Sequence, residues 1–222
     1  MKSKSVEVGD YQQQKEGMRA LRYGMADCLG SGIPIFIPHP HREWEYSGAL
    51  QACIETFNGV PIEAIDIGCG NSPLGVALTS IGATVTEIDP DVRLEALRKP
   101  TPNRHFKVGD LLTHSTDKQY DAVFCMSVIE HIYTKDQPVA WKRLADLVKP
   151  GGLLFVTTDF GLDRTIPWIA DTERVHKFDP ERVREVAALL EDERFTLDLD
   201  STFHGPQVFD YTFFRWVAHA AL

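Results

Sequence analysis

Several carboxylates and a histidine in this chain stand at the ends of apolar runs, where a folded sheet would gather them. Asp66 lies in Ala64-Ile65-Asp66-Ile67, and Gly68-Cys69-Gly70-Asn71-Ser72 follows at once. Glycines after a β-branched run let the backbone approach a bound molecule, and the helical pattern resuming at Pro73 offers unpaired N–H groups. Asp89 comes about twenty residues beyond the glycine turn, a spacing that suits a carboxylate accepting from both hydroxyls of a ribose. Glu87 is the alternative on a shifted register, and an N-cap role competes, although Asp91 also fits that role. Asp110, after Gly109, is placed to accept from an exocyclic adenine amine or to act as a turn residue. His131 closes Cys125-Met126-Ser127-Val128-Ile129-Glu130-His131 and can titrate near neutrality, so it is the first candidate general base. Its competing role is structural, with Glu130-His131 capping a helix start. His176 is a second candidate base on a long loop, set against a plain surface histidine, and Asp159 and His204 are weaker ones.

The elements that position these residues alternate. Strands are expected over 62–67, 84–88, 104–108, 120–125 and 153–158, with helices over 73–81, from 91 to before 100, and over 138–148. Lys149-Pro150-Gly151-Gly152 reads as a sharp turn. Asp179-Pro180-Glu181 opens a further helix with an N-cap, a proline at the first helical position and an acid in the first turn. Strands over 195–199 and 211–217 follow, joined without a helix and so able to pair antiparallel. Such alternation predicts a doubly wound α/β fold: a mainly parallel seven-stranded, Rossmann-like sheet with an antiparallel C-terminal strand. Amphipathic helices over 12–29 and 43–57 form an N-terminal helical extension, with extended chain over 33–38 between them. The division expected is 1–59 as a lid or substrate segment and 60–222 as the ligand-binding domain. Tyr11, His39, His41, Trp44 and Tyr46 mix aromatic and polar groups suited to an organic acceptor, although Trp44 and Tyr46 also fit simple packing. Arg42 reads as a surface arginine, with a cofactor carboxylate as its other partner.

Composition narrows the class. A net charge of −9 over 222 residues argues against a surface built for nucleic-acid phosphates and weakly against anionic membranes. No run of about 20 apolar residues suggests a membrane span, and no apolar segment after Met1-Lys2-Ser3-Lys4-Ser5 suggests a signal peptide. Cys28, Cys53, Cys69 and Cys125 are scattered without a Cys-x-x-Cys pair, which suggests reduced thiols in a cytoplasmic protein. A dinucleotide site is weakened because Gly68 and Gly70 are followed by Pro73 where the third glycine of G-x-G-x-x-G belongs.

Five blocks in order then carry a resemblance: Ile65-Asp66-Ile67-Gly68-Cys69-Gly70, Thr86-Glu87-Ile88-Asp89, Gly109-Asp110, the stretch from Tyr120 to Ile132, and Leu147-Val148-Lys149-Pro150-Gly151-Gly152. Over roughly residues 60–220 the chain resembles the class I S-adenosylmethionine-dependent methyltransferases. The resemblance implies S-adenosyl-L-methionine as cofactor and S-adenosyl-L-homocysteine as product. It places Asp66 and Gly68 near the methionine amino group, Gly70 under the cofactor, and Ser72 beside its amino-acid end. Asp89 would hold the ribose with Ile88 and Pro90 near the adenine, Asp110 and Leu111 would meet the adenine edge and face, and Cys125 and Ser127 would flank the methionine portion. Ser72 stands where many relatives have glycine. Met126 and Ser127 occupy the stretch where some metal-dependent relatives add an acid, so no metal site is expected on Glu130 and His131. The function implied is methyl transfer to an O or N atom of a small organic acceptor. The alternatives are an RNA or protein methyltransferase and a cofactor-binding protein without turnover. The acidic charge disfavours RNA, and no Asn-Pro-Pro-Tyr-type tetrad follows the fourth strand.

Overall fold

The structure is a computed structural model describing residues 15–30, 40–97, 101–160, 178–197 and 212–222. The apolar, β-branched runs form β1 (Glu63–Ile67), β2 (Thr84–Asp89), β3 (Arg104–Val108), β4 (Tyr120–Met126), β5 (Val148–Phe160), β6 (Phe195–Leu197) and β7 (Thr212–Ala220). They make one sheet in the order β3-β2-β1-β4-β5-β7-β6. The first five strands pair in parallel, and β7 runs antiparallel between β5 and β6. Strand order turns at β1 and β4, so the crevice beyond their carboxyl ends is where a ligand belongs.

Helices cover both faces: α1 (Lys15–Gly30), α2 (Pro40–Phe57), α3 (Leu74–Ser80), α4 (Arg93–Leu97), α5 (Gln137–Asp146) and α6 (Pro180–Asp192). The two-residue alternation of the strands divides their side chains between two cores. On one face Leu21, Leu50, Cys53, Leu74 and Leu78 meet Ala64, Val85, Phe124 and Phe155. On the other, Trp141, Leu144, Val186 and Leu190 meet Ile65, Val123, Val156 and Trp216. The N-terminal helices thus share a core with the sheet.

Residues 149–152 differ from the sharp turn expected of them: they lie inside β5. The β4–β5 register shifts between Tyr120 and Ala122, and Gly151 has φ of +74°, so the turn-forming residues make a bulge within a continuing strand. The start of α6 follows the sequence closely. The Asp179 carboxylate accepts from the N–H groups of Glu181 (3.0 Å) and Arg182 (2.9 Å). Asp179→Ala is expected to lower stability by about 1 kcal/mol, read as a lower urea midpoint with unchanged slope.

Candidate active site

β1 runs into Gly68 (φ +70°) and Gly70 (φ +47°), a backbone that side chains rarely adopt. A Cβ on Gly68 would stand 2.3 Å from Val128 Cγ2, so glycine lets the turn after β1 close against the segment after β4. A Cβ on Gly70 would meet nothing within 4 Å, so the turn opens there into a cradle. Asp89 lies behind it. Its Oδ2 accepts from the Gly70 N–H at 2.8 Å and its Oδ1 from the Asp91 N–H at 2.9 Å. Each oxygen keeps a lone pair for a further donor. The capping role falls to Asp91, which accepts from the Arg93 N–H at 3.0 Å. Pro90 is exposed beside Asp89.

Glu87 points to the opposite side. It is fully buried 3.3 Å from Arg104, and a Cβ on Gly75 would fall 2.3 Å from its Oε1. Gly75 therefore makes room for this ion pair beneath α3, and the shifted register that would bring Glu87 to a ribose is closed. Ser72 is buried, with its hydroxyl accepting from the Leu74 N–H at 3.3 Å and hydrogen-bonded to Tyr46. Asp110 is engaged locally: Oδ1 accepts from the N–H groups of Leu112 (2.8 Å) and Thr113 (3.0 Å), and Oδ2 from the Thr113 hydroxyl (2.7 Å). Partial burial opposes its charge, but these bonds hold the carboxyl below its ordinary value. The turn role is thus filled, and one of four lone-pair positions remains for an adenine. Leu111 is buried and lines a cavity of about 450 Å³ together with Ile67, Ile88, His114 and Arg143.

Polar groups converge elsewhere, beyond β4 and β5. Ser127 has φ of +51°, and its hydroxyl donates to Glu45 Oε1 at 2.8 Å. The Thr157 hydroxyl donates to the same oxygen, and Arg42 Nη1 donates to Oε2 at 2.9 Å. Glu45 is 0% exposed, so one buried carboxylate fastens α2 to the ends of both strands. The sequence reading missed Glu45. Its signal was a charge beside Trp44 and one helical turn before Ala49, on the face of α2 that packs inward. Arg42, expected at the surface, is 28% exposed and paired with Glu45. Trp44 packs as expected, with the Arg215 guanidinium 5.3 Å from its ring centre.

Glu130 is 1% exposed. Burial, then the Asp159 and Glu45 carboxylates, push its carboxyl well above the ordinary value, against its own backbone N–H and Arg42. A folded value above the unfolded one means that the bound proton favours the folded state at low pH. That contribution is complete below the ordinary carboxyl range and is lost as pH rises through the folded value. Cys125 is fully buried in the core facing α5, and burial, then Glu130 and Asp66, raise its thiol. His131 is exposed; the desolvation its ring does suffer, and then Arg42, lower its imidazole. The structure thus gathers Asp66, Ser72, Ser127, Glu130 and His131 around Arg42, Glu45 and Tyr46 of α2, while Gly68, Gly70, Asp89, Pro90, Asp110 and Leu111 line the neighbouring tips. Tyr11, His39, His176 and His204 lie outside the described residues, as does the side chain of His41.

Residues 65–156 match the family model described as a methyltransferase domain. This stretch is a methyltransferase domain. Among curated proteins, it is similar to the ubiquinone biosynthesis O-methyltransferase of Albidiferax ferrireducens, 30% identical over 53% of this chain and 54% of the relative. It is also similar to that of Shewanella pealeana, 34% identical over 43% of each. The chain spans about half the length of the curated relatives it matches. The methyltransferase domain shares its fold with Burkholderia thailandensis 1,6-didemethyltoxoflavin-N1-methyltransferase (TM-score 0.61, 14% identity, 100% of this chain and 94% of that one). A Methanosarcina mazei methyltransferase gives a TM-score of 0.56 at 20% identity over 77% and 97%. The 4+2 cyclase SpnF gives 0.60 at 14% identity over the full length of both, so the fold by itself does not fix the reaction. Among the described residues of the methyltransferase domain, no group of three or more His, Cys, Asp or Glu could hold a metal ion, and no helix is long and apolar enough to cross a membrane.

Proposed function

We propose that this chain transfers the methyl group of S-adenosylmethionine to an oxygen or nitrogen atom of a small organic acceptor. The observation that carries this reading is the open cradle at Gly70 with the Asp89 carboxylate behind it. That arrangement fits a nucleoside with a zwitterionic tail: Asp89 accepts from ribose hydroxyls, Leu111 offers an apolar face to the base, and buried Asp66 answers the amino group. Bound there, the cofactor supplies an activated methyl group, so the chain's task is alignment and exclusion of water. Arg42, Glu45 and Tyr46 of α2 form the acceptor wall, which supports a role for the N-terminal segment in acceptor binding. The net charge of −9 supports a small acceptor over RNA, and the reduced, buried Cys53, Cys69 and Cys125 support a cytoplasmic setting.

A protonated acceptor needs a base, and His131 is the residue for it. With its imidazole lowered by desolvation and Arg42, His131 is neutral at pH 7 and able to take a proton. The acid limb of kcat/KM is expected below the ordinary imidazole range. His131→Asn should remove that limb and slow turnover by about 10²- to 10⁴-fold; an unchanged profile would exclude His131 as the base. The reading as a whole is tested by calorimetry with S-adenosylhomocysteine and NAD. Binding of the first alone supports it, and binding of NAD alone overturns it. Cofactor affinity without methyl transfer to any acceptor would leave a cofactor-binding protein.

A further inference from the structure

No helix joins β3 to β4. Residues 109–119 run as a loop, and this loop closes over the cavity of about 450 Å³ that Leu111 lines. A cavity of that size suits a small organic molecule. Its apolar lining is Ile67, Ile88, Leu111 and Leu147. Ile67 and Ile88 stand at the carboxyl ends of β1 and β2, whereas Gln119 and Leu147 stand just before the amino ends of β4 and β5. Residues from both ends of the strands therefore bound this cavity, while the cradle at Gly70 and Asp89 is built at the carboxyl ends. Leu111, the apolar face offered to the base, joins the two. Asp117, Lys118 and Asp146 also line the cavity and are exposed, so it is open to solvent on their side.

Two polar groups in this cavity have unused hydrogen-bonding capacity. Arg143, in the last turn of α5, donates from Nη1 to the His114 carbonyl at 3.1 Å. Among the described residues it makes no other hydrogen bond and no ion pair, so most of the N–H groups of its fork are left for a ligand. His114 Nε2 is buried and has no hydrogen-bond partner among the described residues, although buried polar atoms are nearly always satisfied. The His114 N–H donates to the Asp110 carbonyl at 2.9 Å, so its backbone is held on both sides and the imidazole is in place before a ligand arrives. Desolvation, then Lys107 and Arg143, lower that imidazole, so the ring is neutral at pH 7 and can carry its proton on Nε2.

The remaining charges decide which ligand fits. Lys118 is occupied by Glu63 at 2.6 Å. Asp117 and Asp146 are exposed, where salt screens charges beyond about 8–10 Å. Asp110 acts on Arg143 through space, but its oxygens are engaged by Leu112 and Thr113. A singly charged carboxylate matches one guanidinium and can take two parallel N–H bonds from it. A phosphate dianion would meet Asp117 and Asp146 with twice the charge and the same single guanidinium in return. A cation meets Arg143 and Lys107, and a neutral apolar molecule leaves Arg143 and His114 Nε2 unanswered.

We propose that this cavity binds a small organic monocarboxylate with an apolar body, the carboxylate on Arg143 and His114 Nε2 and the body against Ile67, Ile88, Leu111 and Leu147. The site is separate from the cofactor cradle, so ligand and cofactor bind together, with Leu111 between them.

The test titrates benzoate and hexanoate into the full chain, followed by ligand-observed NMR, with and without saturating S-adenosylhomocysteine. Binding of at least one acid with a Kd below about 10 mM is expected in both cases. Benzamide has the shape of benzoate without the charge and should bind about tenfold more weakly or worse. Arg143→Gln should weaken the carboxylate by about 10- to 100-fold while the affinity for S-adenosylhomocysteine, read by calorimetry, stays unchanged. His114→Phe keeps a ring and loses the N–H, acts in the same direction, and serves if the first variant does not fold. The proposal is overturned if neither acid binds below about 10 mM, if benzamide binds as well as benzoate, if S-adenosylhomocysteine displaces the acid one for one, or if a folded Arg143 variant binds it unchanged. A chain that takes the carboxylate but no S-adenosylhomocysteine would support this site and remove the methyltransferase reading.

Discussion

Asp89→Ala is expected to weaken binding of S-adenosylhomocysteine by about 10²- to 10⁴-fold, because two hydrogen bonds to a charged group are lost at about 1.5–3 kcal/mol each. The site adds a second reason for a large effect. Asp89 also holds the Gly70 N–H at 2.8 Å, so its removal loosens the turn that forms the cradle. No neighbouring acid can take over: Glu87 is buried against Arg104 on the other side of β2, and Asp91 caps α4. Asp89→Asn keeps one accepting oxygen but loses the other and the charge, so it should fall between the parent and the alanine variant. Calorimetry reads the outcome, and an alanine variant binding within about threefold of the parent would place the ribose elsewhere.

Glu45→Ala is expected to produce the largest loss of stability, about 3–5 kcal/mol. The cost lies in what is left behind: a half-buried guanidinium without its carboxylate, and the Ser127 and Thr157 hydroxyls without their acceptor. Against a typical domain stability of about 5–15 kcal/mol, that is a large fraction. At about 2–4 °C per kcal/mol for a chain of this size, the melting temperature should drop by roughly 6–20 °C. Glu45→Gln retains one accepting oxygen and should cost less. Urea unfolding of both variants checks the order, and a loss under about 1 kcal/mol for the alanine variant would mean that α2 is held by its apolar contacts alone. Because α2 also carries Arg42 and Tyr46, a folded Glu45 variant should lose acceptor affinity before cofactor affinity.

The sequence by itself determined the sheet and the glycine turn after β1. Period-two apolar runs separated by helical patterns can bury their faces only as a layered α/β sheet, which is why β3 follows its expected bounds and β1, β2 and β4 differ from theirs by one residue, whereas β5 starts five residues early. The turn at Gly68 and Gly70 and the Asp89 carboxylate behind it were legible because they depend on local backbone geometry and on a spacing fixed by one strand–helix–strand unit. The bulge at 149–152 was less so: Pro150 and Gly151 are turn formers, and only pairing to β4 on both sides of them keeps them within a strand.

The acceptor side was decided by tertiary structure. Glu45 and Thr157 lie 112 residues apart, Glu45 and Ser127 lie 82 apart, and no local pattern relates them. Asp110 looked equally suited to a base edge or to a turn, and only the positions of Leu112 and Thr113 fill its oxygens. Glu87 and Asp89 are two residues apart on one strand, yet one is sealed against Arg104 and the other reaches the cradle. Whether a carboxylate binds a ligand, caps a turn or sits in an ion pair depends on the donors that folding brings within about 3 Å. Those donors come from distant parts of the chain.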